Sequence, residues 1–157
     1  MATTLSIRYA SWRPVGRSLL LVDLENLAGP NLTGAHHLTR IASGILGASA
    51  VQPGDHVVVA TNPRQLLDAR VAFPGARLLV GRGPDGADRA LLADWEPEDL
   101  ARRYDRLVVA SGDHAFASLA QDVRSLGVEV HVVAWRRSLS GRLREAADQV
   151  LTPRRAR

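Results

Sequence analysis

The chain has 157 residues, a net charge of +4, 46% hydrophobic and 23% charged residues, and no cysteine. That length supports one domain burying roughly 70% of the surface its unfolded form exposes, and the lack of cysteine excludes disulfide stapling. No apolar run approaches the roughly 18 residues that a membrane span needs, and MATTLSIRYASWRPVG has no apolar core of signal-peptide length, so a reducing cytoplasm is the expected setting.

Residues 1–16 read as an N-terminal arm, with an extra edge strand through Leu5–Tyr9, and residues 17–152 as the domain. Short apolar runs then alternate with helix-period segments, the pattern of a parallel sheet covered on both faces. Strands are predicted at Ser18–Asp23, His56–Ala60, Arg77–Val80, Arg106–Ala110 and Glu129–Trp135, with a short sixth at Gln149–Leu151. Helices are predicted at His37–Leu46, Pro63–Val71, Ala87–Trp95 continuing into Pro97–Arg103, Ala115–Leu126 and Leu139–Ala147. Pro63 suits a first helical turn, and Gly127 suits a left-handed C-terminal residue. Residues 153–157 form a basic tail.

Parallel strands place all their C-terminal ends on one edge, where ligands bind at the point of strand-order reversal. Asp23 closes the first strand in LLVDLENLAG, and Asp113 follows the fourth in LVVASGD. If strands one and four are neighbours, the two carboxylates face each other across about 4.8 Å. Bare, such a pair repels, so one acid keeps its proton or a cation sits between them. Mg²⁺ is the natural cation, since it takes one or two carboxylates and keeps waters for a substrate phosphate. Asp88, at a helix start in GADRALLADW, is a third candidate that also suits simple dipole capping. Asp113 could equally cap the helix from Ala115. Asp23 is expected to have no such alternative, because it ends a strand.

All 20 basic residues are arginine, whose planar fork suits phosphate. From Arg136 to Arg157 seven arginines face only Glu145 and Asp148, a local +5 that points to a nucleic-acid contact or to a solvated face.

The motifs LVDLENL, GADRALLADW, LVVASGDHAFASLAQDVRSLGVEVHVVAW and SLSGRLREAADQVL occur in order between Ser18 and Leu151. Together they resemble the NYN domain family of PIN-like nucleases. The resemblance implies a three-layer α/β/α sandwich around a mainly parallel sheet of five or six strands. It further implies Asp23, Asp88 and Asp113 as metal ligands for Mg²⁺ or Mn²⁺, Asn26 as an orienting residue, RNA as substrate, and hydrolysis that leaves a 5′-phosphate and a 3′-hydroxyl. Many members continue Ser-Gly-Asp-x-Asp-Phe, whereas Ala115 stands at the second acid here. One metal is therefore expected rather than two, or Glu25 or Asp148 compensates. Ser111, His114, Arg136, Arg137 and Arg142 are the candidate substrate contacts.

Other signals are weaker. GRGPDG, from Gly81 to Gly86, matches the dinucleotide pattern, but Pro84 removes a donor and Asp85 places negative charge where a pyrophosphate would lie, so a loop beside the active edge is expected instead. The scattered histidines do not form a zinc set, and Trp12, Trp95 and Trp135 read as packing residues more readily than as base-stacking ones. Three function classes stay open: a metal-dependent endoribonuclease, an RNA-binding or regulatory module of the same fold that no longer cleaves, and a small-molecule phosphatase or nucleotide-binding protein. A homodimer paired through the arm is a further expectation.

Overall fold

The alternation of apolar side chains along the first strand sets the layout. In the computed structural model, which describes residues 16–154, β1 (Ser18–Asp23) is buried along its whole length. Leu19 and Leu21 join one hydrophobic cluster, and Leu20 and Val22 join another on the opposite face. Such double-sided burial is the signature of a parallel strand with helices on both faces.

The chain continues through α1 (Leu24–Ala28), α2 (Ala35–Ser49), β2 (His56–Thr61), α3 (Leu66–Ala72) and β3 (Arg77–Val80). Next come α4 (Gly86–Leu92), α5 (Pro97–Arg103), β4 (Arg106–Ala110), a 3₁₀ turn (His114–Phe116), α6 (Ala117–Ser125), β5 (Glu129–Val133), α7 (Gly141–Ala146) and β6 (Gln149–Leu151). The six strands are ordered β3-β2-β1-β4-β5-β6, and every neighbouring pair is parallel. Helices α1, α2 and α3 supply the cluster around Leu20, Val22 and Ile45; α4 to α7 supply the one around Leu19, Leu21 and Phe116. The result is a three-layer α/β/α sandwich whose direction reverses between β1 and β4, with the sixth strand present.

Besides shifts of a few residues at element ends, such as α3 beginning at Leu66 rather than Pro63 and β5 ending at Val133, three details depart from the sequence reading. The predicted helix from Ala115 starts instead as the 3₁₀ turn, with α6 following at Ala117. The predicted run from Ala87 to Arg103 breaks into α4 and α5 around Trp95. Most consequential is α1, a helix begun directly by Asp23, whose Oδ1 accepts the Asn26 N–H at 3.3 Å. Its five residues are too few to show a helical period in the sequence.

The predicted arm with its Leu5–Tyr9 strand and Trp12 lies outside the described residues, apart from Gly16, as do the last three residues of the tail. The tail's start is docked: Pro153 is buried, and the Arg154 N–H donates to the Gly44 carbonyl on α2 at 3.2 Å. Among the described residues no helix is long and apolar enough to cross a membrane.

Because Leu21 is fully buried, Leu21→Ala is expected to cost about 2–5 kcal/mol in chemical denaturation. Leu67→Ala, at a position 81% exposed, is expected to stay within about 0.5 kcal/mol. Equal losses at the two positions would contradict this layering.

Candidate active site

Strand parity aims two site residues at each other. Asp23 continues the side of β1 that carries Leu19 and Leu21, and Ser111 continues the side of β4 that carries Leu107 and Val109. Both side chains therefore emerge on the α4–α7 face at the switch point. There the Ser111 Oγ–H donates to Asp23 Oδ2 at 3.2 Å, and the Asp113 N–H donates to Ser111 Oγ at 3.1 Å. Asn26, one turn into α1, accepts the Gly112 N–H on its Oδ1 at 2.9 Å. The β1 and β4 ends are thus cross-linked by side chains, and the Ser-Gly-Asp turn is held from both sides.

Asp113 caps the 3₁₀ turn, its Oδ1 accepting the Ala115 N–H at 2.9 Å. Asp88 sits in the first turn of α4, buried, with its Oδ1 accepting the Arg89 N–H at 2.9 Å. The loop before α4 explains the glycine pattern. A Cβ on Gly81 would fall on the backbone of Gly86 and Ala87, so the loop closes on itself through glycine–glycine contact. Its glycines serve a tight backbone approach, as in a dinucleotide site, but the partner is the loop's own far end. Asp85, at the tip, adopts a left-handed backbone (φ 56°) that aspartate tolerates better than most residues.

Asp23, Glu25, Asn26, Asp85, Asp88 and Asp113 line one open cleft of about 180 Å³, with Pro30 and Ala87 completing its wall. Asp85, Asp88 and Asp113 each bring a carboxylate oxygen within 4.8 Å of the other two. Asp23 lies outside that trio, with one oxygen engaged by Asn26 and the other by Ser111. Asp85 is the residue that sequence reasoning left out of the site. Its signal was present, three residues ahead of Asp88, but was read only as an argument against pyrophosphate.

The electrostatics are strained. Burial pushes the Asp23 carboxyl up to about 6; the Asn26 and Ser111 hydrogen bonds pull against this, and the charges of Asp88 and Asp113 add to it. Asp88 is also raised, by burial first and then by Asp113 and Asp85. Among the described residues no ion pair engages Asp23, Asp85 or Asp88. A hard divalent cation fits this donor set. An octahedral ion with oxygens at about 2.1 Å keeps its donors roughly 3.0–4.2 Å apart, so small side-chain adjustments suffice.

The remaining predicted residues divide. Glu25 lines the cleft. His114 is exposed beside it, its Nδ1 3.3 Å from Asp113 Oδ1. Ser111, read from sequence as a substrate contact, is instead fully buried and touches Asp23 and Asp113. Asp148, read as a compensating acid, is structural: it accepts Arg124 Nε and the Val130 N–H, both at 2.8 Å, at the N-terminal end of β5. The reason is position, since it precedes a strand rather than following one. Arg136 and Arg137 are exposed on the loop after β5, and Arg142 is exposed in α7; none of them lines the acid cleft. The loop is nonetheless stitched to the site. The Ser140 N–H donates to the Gly112 carbonyl at 2.9 Å, and a Cβ on Gly112 would strike the Ser138 carbonyl.

The NYN domain family model matches residues 69–153, a span that contains Asp85, Asp88 and Asp113. No curated protein matches the chain. Among solved structures, a protein of unknown function from Vibrio parahaemolyticus RIMD 2210633 superposes with a TM-score of 0.60 at 18% identity, covering 88% of this chain and 93% of that one. At that identity the likeness speaks to the fold. With more than half of its length matched by the family model, the chain belongs to the NYN domain family.

Proposed function

We propose that the protein is a metal-dependent endoribonuclease that hydrolyses RNA phosphodiester bonds, using Mg²⁺ or Mn²⁺. The observation that carries this reading is the convergence of Asp23, Asp85, Asp88 and Asp113 in one open cleft at the switch point of the sheet. A divalent ion held there polarises a phosphate oxygen and lowers the pKa of a bound water. Asp85, Asp88 and Asp113 are the ligands best placed to hold it. Asp23, with its carboxyl near 6, accepts the proton of the attacking water on a carboxylate oxygen. The water oxygen bonds to phosphorus as the P–O3′ bond breaks, and the departing O3′ takes a proton from solvent water, giving a 5′-phosphate and a 3′-hydroxyl.

Asn26 and Ser111 act through others, fixing the Gly112 backbone and the Asp23 carboxylate. Arg136, Arg137 and Arg142 supply cationic contacts to flanking phosphates, and His114 offers a ring N–H at the rim of the cleft. The Ala115 substitution does not empty the site of acid, because Asp85 restores the count. The alternative, an RNA-binding or regulatory module that does not cleave, differs in a single outcome: retained RNA binding without product.

With labelled RNA, cleavage is expected in Mn²⁺ or Mg²⁺, none in chelator, and at least about a 100-fold loss in Asp23→Asn or Asp88→Asn, since the several kcal/mol of metal-assisted stabilisation is forfeited. Cleavage that persists in chelator would sink the metal reading. Asn26→Ala leaves the buried Gly112 N–H without its partner and should cost about 1–3 kcal/mol in urea denaturation, together with about 10–100-fold in cleavage.

The raised carboxyl of Asp23 also sets a pH dependence. Its folded pKa lies above the unfolded value, so the metal-free fold loses stability as pH rises from about 4 through 6, by roughly 3 kcal/mol from this group. In chelator, Tm should fall across that window, and Asp23→Asn should flatten the fall. Mn²⁺ should raise Tm more at pH 7 than at pH 5, because protons on the ligand Asp88, whose carboxyl is raised by burial, compete for the same oxygens. A metal-induced shift independent of pH would argue against ligation by these acids.

A further inference from the structure

A second hollow, of about 320 Å³, lies on the other side of the loop that walls the acid cleft, lined by Leu32, His37, Arg40, Ile41, Trp135, Pro153 and Arg154. Its volume sits at the small end of the roughly 300–1,000 Å³ range of ligand pockets, suiting one flat ring system rather than a duplex. Its floor is apolar: Leu32, Ile41 and Trp135 are half-buried against the α1–α3 cluster. Trp135 is fixed, because its Nε1–H donates to the Leu27 carbonyl at 2.9 Å. Arg154 is exposed at its rim, and no acid is among the lining residues.

The wall between cleft and hollow is short and braced. Pro30 lines the first and Leu32 the second, so at most about 7 Å of chain separates the two contributions. Gln65 is fully buried and donates its Nε2–H groups to the carbonyls of Gly29 and Leu32, both at 2.8 Å. Its Oε1 accepts the Thr61 hydroxyl at 3.3 Å, and Asn62 Nδ2 donates to the Pro30 carbonyl at 3.0 Å. Two side chains from the turn between β2 and α3, Gln65 and Asn62, thus hold both ends and the middle of the 29–32 loop, and Thr61 at the end of β2 braces Gln65. A chain bound across it meets two sites of fixed spacing.

Resting on the reading of the acid cleft as the seat of an RNA phosphodiester, we propose that the hollow formed by Trp135, Ile41 and Leu32 receives an unpaired base flanking that bond, with Arg154 meeting its phosphate. Charge complementarity selects this occupant: an apolar ring-sized floor with a cationic rim matches a base carrying an anionic phosphate. A base has a flat face whatever its identity, so the contact selects single strands more than sequences.

The test is affinity for a short single-stranded RNA and for the same strand made abasic, measured by fluorescence anisotropy with the full chain in chelator. The intact strand is expected to bind about tenfold or more tightly, the scale of one base–aromatic stack. Trp135→Leu and Ile41→Asp should each remove most of that difference; the Ile41 side chain makes no hydrogen bond, so this variant guards against misfolding at Trp135. Equal affinity for intact and abasic strands, unchanged preference in both variants, or duplex bound as tightly as single strand would overturn the proposal. So would loss of self-association in Ile41→Asp with RNA affinity unaltered, which assigns the hollow to a second copy. Because binding is read without metal, absence of cleavage in Mn²⁺ would retire the hydrolase reading and leave the base-dependent binding as its own result.

Discussion

A carboxylate buried at the end of a central strand, within the field of other carboxylates, is the constraint on which the site depends. Asp23 is 5% exposed, and its carboxyl is pushed up to about 6 chiefly by burial. The fold retains it with one backbone N–H and one hydroxyl, from Asn26 and Ser111, and no cation is paired with it among the described residues. Two neutral donors only partly offset the loss of water around an ion. The site is therefore left with an uncompensated demand for positive charge. Keeping an ionised acid at position 23 costs stability once the pH exceeds its raised pKa, and on the proposed reading that cost is borne for metal binding.

That demand is useful only if the other acids stay put, and the backbone arranges this by contact rather than by side-chain reach. Gly81 touches Gly86, which fixes where α4 starts and therefore where Asp88 stands. Gly112 touches Ser138, which seats the Asp113 turn against the β5–α7 loop. Asn26 ties the same turn to α1. Every one of these approaches would be blocked by one added carbon or loosened by one lost amide. Interiors packed at this density transmit small displacements instead of absorbing them, so the geometry of the cleft is a property of three separate loops acting together.

Most of this layout is legible in the sequence because it follows from periodicity. Strands β1, β3, β4 and β6 fall where apolar runs and turn residues set them, whereas adjacency of β1 and β4, only a condition in the sequence, is given by the sheet order. What is not legible is short-range or contextual. Helix α1 has too few residues for a period, so Asp23 looks like a bare strand end although it also caps a helix. Asp85 is hidden because its place in the cleft comes from a left-handed turn within the loop that closes through the Gly81–Gly86 contact. Ser111 and Asp148 are both polar residues near strand ends; only burial tells that one faces Asp23 and the other the opposite edge.

Charge is divided within the molecule, and the division couples its ligands. The whole chain carries +4, yet the cleft at the switch point is lined by five acids and no base. A polyanion approaching the metal-free cleft meets repulsion there and attraction at the arginines elsewhere. On the proposed reading, a cation in the cleft reverses the local sign and turns repulsion into attraction. The two bindings then share one free energy: whatever factor the metal contributes to RNA affinity, RNA must contribute to metal affinity. Weak retention of metal by the protein alone is thus compatible with firm retention in the complex, where phosphate oxygens complete a coordination sphere that the carboxylates begin.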